Sequence, residues 1–389
     1  MTFSLTNLAI NNALLQNFIC NPNRSLLSIS NVTREQEQPC LTTLQKIASE
    51  RKHETPILIS LKNLNMEFLR EILKTIEGKP NISELVFTDE GMAKDEAIVE
   101  ISNALTQQHC SIEKLCFSLG KTKLNFLPLA QALQRNQTVL HLRLSSFRGP
   151  NPATFRDLEC IFQALAGIEN PASTQVNTSV QTLCLQGIHI TSLDNGPALK
   201  SCNLMLKQNQ SIIKFGYFGT DIAASISFSD FDKLKPGLIS NRRLSELDLS
   251  GIKVSADELP KLVFYLPPHL EVLNLSHLNF PSYKGNLIEG LINLIKECKK
   301  EKLSLHIIFN GNKLEYALGN ALERYPEQLE KLLISDSQVS LECDDLKEIS
   351  LYKKNQCVTF FNIVAATKLK DYELVERKYR SGVPTNSFP

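Results

Sequence analysis

Two hydrophobic periods alternate along this chain. In "LSELDLSGIKV", residues 244–254, apolar side chains fill the first, fourth, sixth, ninth and eleventh places. The first three fit a half-buried strand of period two, and the next two fall at offset positions that a lone strand does not explain. The same five places return in "LEVLNLSHLNF" (270–280) and "VQTLCLQGIHI" (180–190), and four of them in "VLHLRLSSF" (139–147). Looser copies begin at Ile82, Ile112, Ile212 and Leu329, and weaker ones lie near Leu27 and Ile59 and in "SLHIIFNGNKL", which carries Asn312. The third apolar place falls at Ile29, Leu61, Phe87, Phe117, Leu144, Leu185, Tyr217, Leu249, Leu275, Phe309 and Ile334, at intervals of about 25 to 41 residues. Between these phrases the period changes. "NLIEGLINLIKEC" sets Leu287, Leu291, Leu294, Ile295 and Cys298 on one helical stripe, and "FLPLAQALQ" and "DLECIFQALAG" do likewise. Each unit is therefore predicted as strand, loop and helix. Neither element covers its apolar side alone, so neighbouring units must stack.

The phrase L-x-x-L-x-L-x-x-N/C-x-L, in about eleven copies, resembles the leucine-rich repeat, and Asn312 stands where that family often has Asn. Long units with a full helix resemble its ribonuclease-inhibitor type over about residues 20–340. The resemblance implies an α/β solenoid, a horseshoe with a parallel sheet on its concave side and helices on its convex side. The expected organisation is an N-terminal cap (1–24), the solenoid (25–340) and a helical C-terminal cap (341–389).

Composition narrows the function classes. A solenoid core grows in one dimension, so 389 residues with 42% hydrophobic content need not mean several domains. The net charge of +1 argues against a nucleic-acid partner, which needs a strongly basic face. No apolar run is long enough to span a bilayer. No Lys or Arg precedes Arg24, so the start lacks the charged region of a secretory signal and reads as part of the cap. The ten cysteines contain no C-x-x-C pair and read as reduced thiols of a cytoplasmic chain. On that reading the Asn-x-Ser/Thr triplets, such as those at Asn31 and Asn136, are coincidental.

Two places break the repeat. The longest interval contains "GIENPASTQVNTS" (167–179), polar and with Pro171, which predicts an exposed insertion. After Val339 no further phrase follows. "DDLKEISLYKK" predicts a helix with Leu346 and Ile349 on its apolar side. Residues 360–386 resemble a degenerate ankyrin unit through Ala365, Ala366, Leu374, Val375, Gly382 and Asn386, with one extra residue before Asp371 and no Gly at the first turn. On either reading the segment caps the last strand edge.

Motifs for chemistry are scarce. G-x-x-x-x-G-K-[ST], H-E-x-x-H and G-x-S-x-G are absent, and the seven histidines are scattered, so no metal, cofactor or catalytic residue is expected. Cys343-Asp344-Asp345 matches the Cys-x-Asp motif of leucine-rich-repeat ubiquitin ligases, whose large catalytic domain has no room here. The alternative function is a leucine-rich-repeat GTPase-activating protein, with Arg148 in "SSFRGPNP" as its catalytic arginine. That family's acidic tail and regular repeats are missing.

What remains is the sheet face. Side chains alternate along a strand, so the places flanking the second and third apolar residues point away from the helices. They read Leu58, Ser60, Lys62; Glu84, Val86, Thr88; Lys114, Cys116, Ser118; His141, Arg143, Ser145; Thr182, Cys184, Gln186; Lys214, Gly216, Phe218; Glu246, Asp248, Ser250; Val272, Asn274, Ser276; and His306, Ile308, Asn310. An exposed Phe218 between basic Lys114, His141, Arg143 and Lys214 and acidic Glu246 and Asp248 suits an interface centre. The bland alternative is a solvated sheet face. The expectation is a non-enzymatic recognition module that binds a protein through this face and is monomeric when free. Irregular repeats, many Asn and Lys and the absence of Trp resemble the effectors that intracellular bacteria deliver into the host cytosol. That resemblance implies a host or bacterial partner, which the chain would bind or inhibit.

Overall fold

The computed structural model describes residues 2–4, 15, 18–20, 26–51, 56–88, 95–119, 125–146, 153–167, 177–188, 196–218, 227–278, 287–312 and 339–343. The chain divides into two units, Met1–Leu346 and Lys347–Pro389, and every described residue lies in the first.

The strands are β1 (Thr2–Ser4), β2 (Leu26–Ser30), β3 (Ile57–Lys62), β4 (Ile82–Thr88), β5 (Lys114–Leu119), β6 (His141–Ser146), β7 (Thr182–Gln186), β8 (Lys214–Phe218), β9 (Glu246–Asp248), β10 (Val272–Asn274), β11 (Leu305–Ile308) and β12 (Val339–Glu342). They form one parallel sheet in chain order, with β1 and β12 at its edges, so it does not close into a barrel. Helices intervene: α1 (Arg34–Glu50), α2 (Met66–Ile76), α3 (Asp95–Leu105), α4 (Leu127–Arg135), α5 (Glu159–Ala166), α6 (Pro197–Gln208), α7 (Phe228–Asp232), α8 (Lys235–Ser240) and α9 (Leu287–Lys300). Successive helices pack on one another as successive strands do, the signature of a repeat solenoid.

The third apolar places from Ile29 to Phe309 are all buried, as are their partners two residues earlier, such as Leu85, Leu115, Leu142, Leu183, Leu247 and Leu273. The predicted helical stripe of α9 is buried too. Burying each of these side chains contributes about 1.5–3 kcal/mol before the entropy of ordering the chain is counted. Helix α2 shows the local logic. Asn65 caps it by accepting from the Phe68 N–H at 2.8 Å, and Phe68, Leu69, Ile72, Leu73 and Ile76 form its buried stripe.

Two units depart from strand–loop–helix. After β8 the helical segment shrinks to α7 and α8, with Pro236 in the first turn of α8, and after β9 it is the 3-10 turn Leu259–Tyr265, which contains Pro260. Here β9 and β10 have three residues each. Gly290 lets α9 approach this thin layer, because a Cβ there would lie 2.7 Å from the Ala256 carbonyl oxygen.

The sheet begins and ends otherwise than the phrases predict. Thr2–Ser4, within the expected cap, pairs with Leu26–Ser28. At the far end β11 pairs directly with β12, which straddles the expected solenoid boundary at residue 340, through Leu305 with Val339 and Ile307 with Leu341. The strand expected around Ile334 lies outside the described residues.

Asparagines join the units. Asn209 ends α6; its Nδ2 donates to the Leu165 carbonyl at the end of α5 (2.7 Å), while its Oδ1 accepts from the N–H groups of Ser211 (2.9 Å) and Ile212 (2.8 Å). Asn136 donates to Leu105 (2.8 Å), Asn177 to Leu133 (2.6 Å) and Asn241 to Leu206, and each accepts from the N–H three residues on. Each amide thus satisfies a carbonyl left over at the previous helix end and a turn N–H of its own unit. All four are at most 4% exposed. The Asn-x-Ser/Thr triplets at Asn136, Asn177 and Asn209 are therefore buried structural rungs, and their recurrence is not coincidental.

Candidate protein-binding face

The predicted columns form as expected. Glu84, Lys114, His141, Thr182, Lys214, Glu246, Val272 and His306 are successive register partners across β4–β11. A second column runs through Val86, Cys116, Arg143, Cys184, Gly216, Asp248 and Asn274.

Most charged groups on this face pair across strands. Lys114 Nζ lies 2.7 Å from Glu84 Oε1, with side chains 39% and 14% exposed, and Lys214 Nζ lies 2.7 Å from Glu246 Oε2. His306 Nε2 approaches Glu342 Oε2 at 3.7 Å. His141, half-buried between the two lysine rows, has its pKa pushed below the ordinary histidine value by burial and then by Lys114, with Lys214 adding and Glu84 opposing. Arg143 Nη2 donates to Gln186 Oε1 at 2.5 Å, and its guanidinium lies 5.5 Å from the Phe218 ring centre. Beside it, burial pushes the Cys116 thiol up to about 11.

Phe218 corrects the sequence reading. It is 4% exposed and is not a presented anchor. Its ring folds back over Gly216, two residues earlier on the same face, where a Cβ would sit 2.8 Å from Phe218 Cε1. Glycine opens the notch, and Arg143 covers the ring from two strands away. Asp248 is also closed in, at 3% exposure, with Oδ1 accepting the Ser250 N–H at 3.0 Å. Asn274 makes the same turn with Ser276 one unit later. Ser250 and Ser276, expected on the open surface, are buried.

Gln186 and Glu84 belong to the site although neither is among the expected binding residues. Register adjacency to Arg143 and Lys114 was the available signal, since cross-strand neighbours interact. Arg148 lies outside the described residues, as do 168–176 of the insertion. The end of that insertion is packed rather than exposed: Asn177 is fully buried and Ser179 is 8% exposed. Cys343 is 1% exposed, and its thiol lies 3.7 Å from the Phe309 carbonyl oxygen.

Elsewhere a groove of about 310 Å³ lies between α2 and α3, lined by Leu73, Glu77, Asn103 and Gln107 and bordered by the Arg70–Glu100 pair. Among the described residues no cluster of His, Cys, Asp and Glu could hold a metal ion, and no helix is long and apolar enough to cross a membrane. The nine described cysteines are free thiols.

Fold and face together define a repeat solenoid of alternating strands and helices with an open, all-parallel sheet. The chain matches no protein-family model and no curated protein.

Proposed function

We propose that this protein is a leucine-rich-repeat recognition module of the ribonuclease-inhibitor type, which binds a protein partner through the open face of its sheet. One observation carries the reading. Strands β4–β11 align half-exposed polar and charged side chains in register on the face opposite the buried leucines. Strand pairing sets the backbone positions of these side chains before binding, so less ordering opposes association. Its charge rows favour particular partners and orientations.

The proposal extends to biology through the resemblance in style to bacterial effectors. On that reading the chain works in a host cytosol and binds, or blocks, a host protein there.

Affinity capture from host-cell and bacterial lysates tests the reading, with Lys114→Glu and Lys296→Glu variants in parallel. Lys296 is exposed on α9, on the helical side. A specific partner should be lost with Lys114→Glu and retained with Lys296→Glu. The reverse pattern would move the site to the helices.

A further inference from the structure

The open face has a charge order that selects the chemistry of its partner. The outward places of β5–β8 hold Lys114, Arg143 and Lys214 and no carboxylate. Carboxylates flank this centre: Glu84 on β4, and Glu246 and the enclosed Asp248 on β9. Both lysines reach outward to the flanking glutamates at 2.7 Å, which leaves His141 and Arg143 between them. The pattern along the sheet is negative, positive, negative.

Resting on the reading that this face binds a protein, we propose that the bound segment is a short acidic run with basic flanks, crossing β5–β8 at right angles to the strands. Three strand spacings span about 14 Å, the length of about four extended residues. Carboxylates of the run would meet Arg143 and the inner sides of the two lysines, and its basic flanks would meet Glu84 and Glu246. Arg143 is already held by Gln186 and the Phe218 ring, so a carboxylate engages it with little further loss of side-chain freedom. In each lysine pair one member is partly exposed, Lys114 (39%) and Glu246 (37%), and these are the groups that the run and its flank reach first. A basic centre in the partner would face Lys114, Arg143 and Lys214 and be repelled.

Two labelled peptides of about ten residues and equal composition test this against the full-length chain by fluorescence anisotropy. One has central glutamates bracketed by lysines, and the other has central lysines bracketed by glutamates. The first should bind at least about tenfold tighter, more weakly as salt rises. Lys114→Gln and Arg143→Gln should each weaken it about tenfold, and Lys296→Gln should not. Because Arg143 also covers Phe218, Lys114→Gln is the cleaner variant. Equal binding, preference for the permuted peptide or no binding of either overturns the inference. Dependence on Lys114 and Arg143 without preference for the acidic centre overturns it while leaving the binding face in place. Binding that responds only to Lys296→Gln overturns both.

Discussion

Phe218→Ala separates a packed ring from a presented one. The side chain is 4% exposed, lies in the Gly216 notch and sits under the Arg143 guanidinium. Truncating a buried phenylalanine costs about 3–5 kcal/mol. On a sheet face, Arg143 and water can settle into the gap, so the lower end applies, at about 3 kcal/mol. Of this, about 0.5–1 kcal/mol belongs to the arginine over the ring. A double-mutant cycle with Arg143→Gln should return a coupling of that size. Phe218→Leu keeps most of the apolar volume and should cost less than about 1.5 kcal/mol. Urea unfolding followed by circular dichroism measures all five proteins, compared at matched denaturant because long repeat arrays need not unfold in one step. A loss below about 0.5 kcal/mol for Phe218→Ala would mean a solvated ring. The packing argument would then be wrong, and the anchor role would return.

Asn209→Ala strands the Leu165 carbonyl and the Ser211 and Ile212 N–H groups and should cost about 3 kcal/mol. Exposed Gln210→Ala should cost less than about 0.5 kcal/mol in the same urea series. His141 faces Lys114, Lys214 and Glu84, and its folded pKa lies below the ordinary 6.5. Below that pH the unfolded chain takes up a proton that the folded chain resists, so this contribution to stability falls as pH drops through and below 6.5. His141→Gln should flatten that part of the pH–stability curve. Arg51, 3% exposed, donates to the Phe18 carbonyl at 3.2 Å and lies 4.9 Å over the Phe18 ring. Arg51→Ala should speed cleavage at Phe18 in a timed chymotrypsin digest while leaving cleavage beyond β6 unchanged.

The solenoid was legible because one phrase recurs and its inward leucines must be buried. A one-residue slip would turn Leu247 and Leu249 to the open face, so the pattern fixed both register and columns. Short elements escaped. Thr2–Ser4 has too few residues to show a period, and "VSLE" in β12 is outweighed by the stronger phrase before it. The rungs were misread because a buried Asn followed by Ser or Thr looks, in sequence, like any turn or glycosylation triplet. Phe218 and Asp248 were placed on the correct face but wrongly taken as exposed. Alternation tells which way a side chain leaves the strand; it does not tell whether a neighbouring glycine or serine turn then encloses it.

The asparagine rungs stop after Asn241. In the next unit the same place, three residues before Leu270, is Pro267, which offers only its backbone carbonyl to the Leu270 N–H at 3.2 Å. The missing amide coincides with the three-residue strands β9 and β10 and the 3-10 turn between them. The array therefore has a seam, and cooperative units of a linear repeat separate where neighbour coupling is weakest. Amide hydrogen exchange should find β5–β8 opening together and late, with β10 and β11 opening earlier as a separate block. The positive centre of the sheet would then stay intact while the end of the solenoid frays and re-forms.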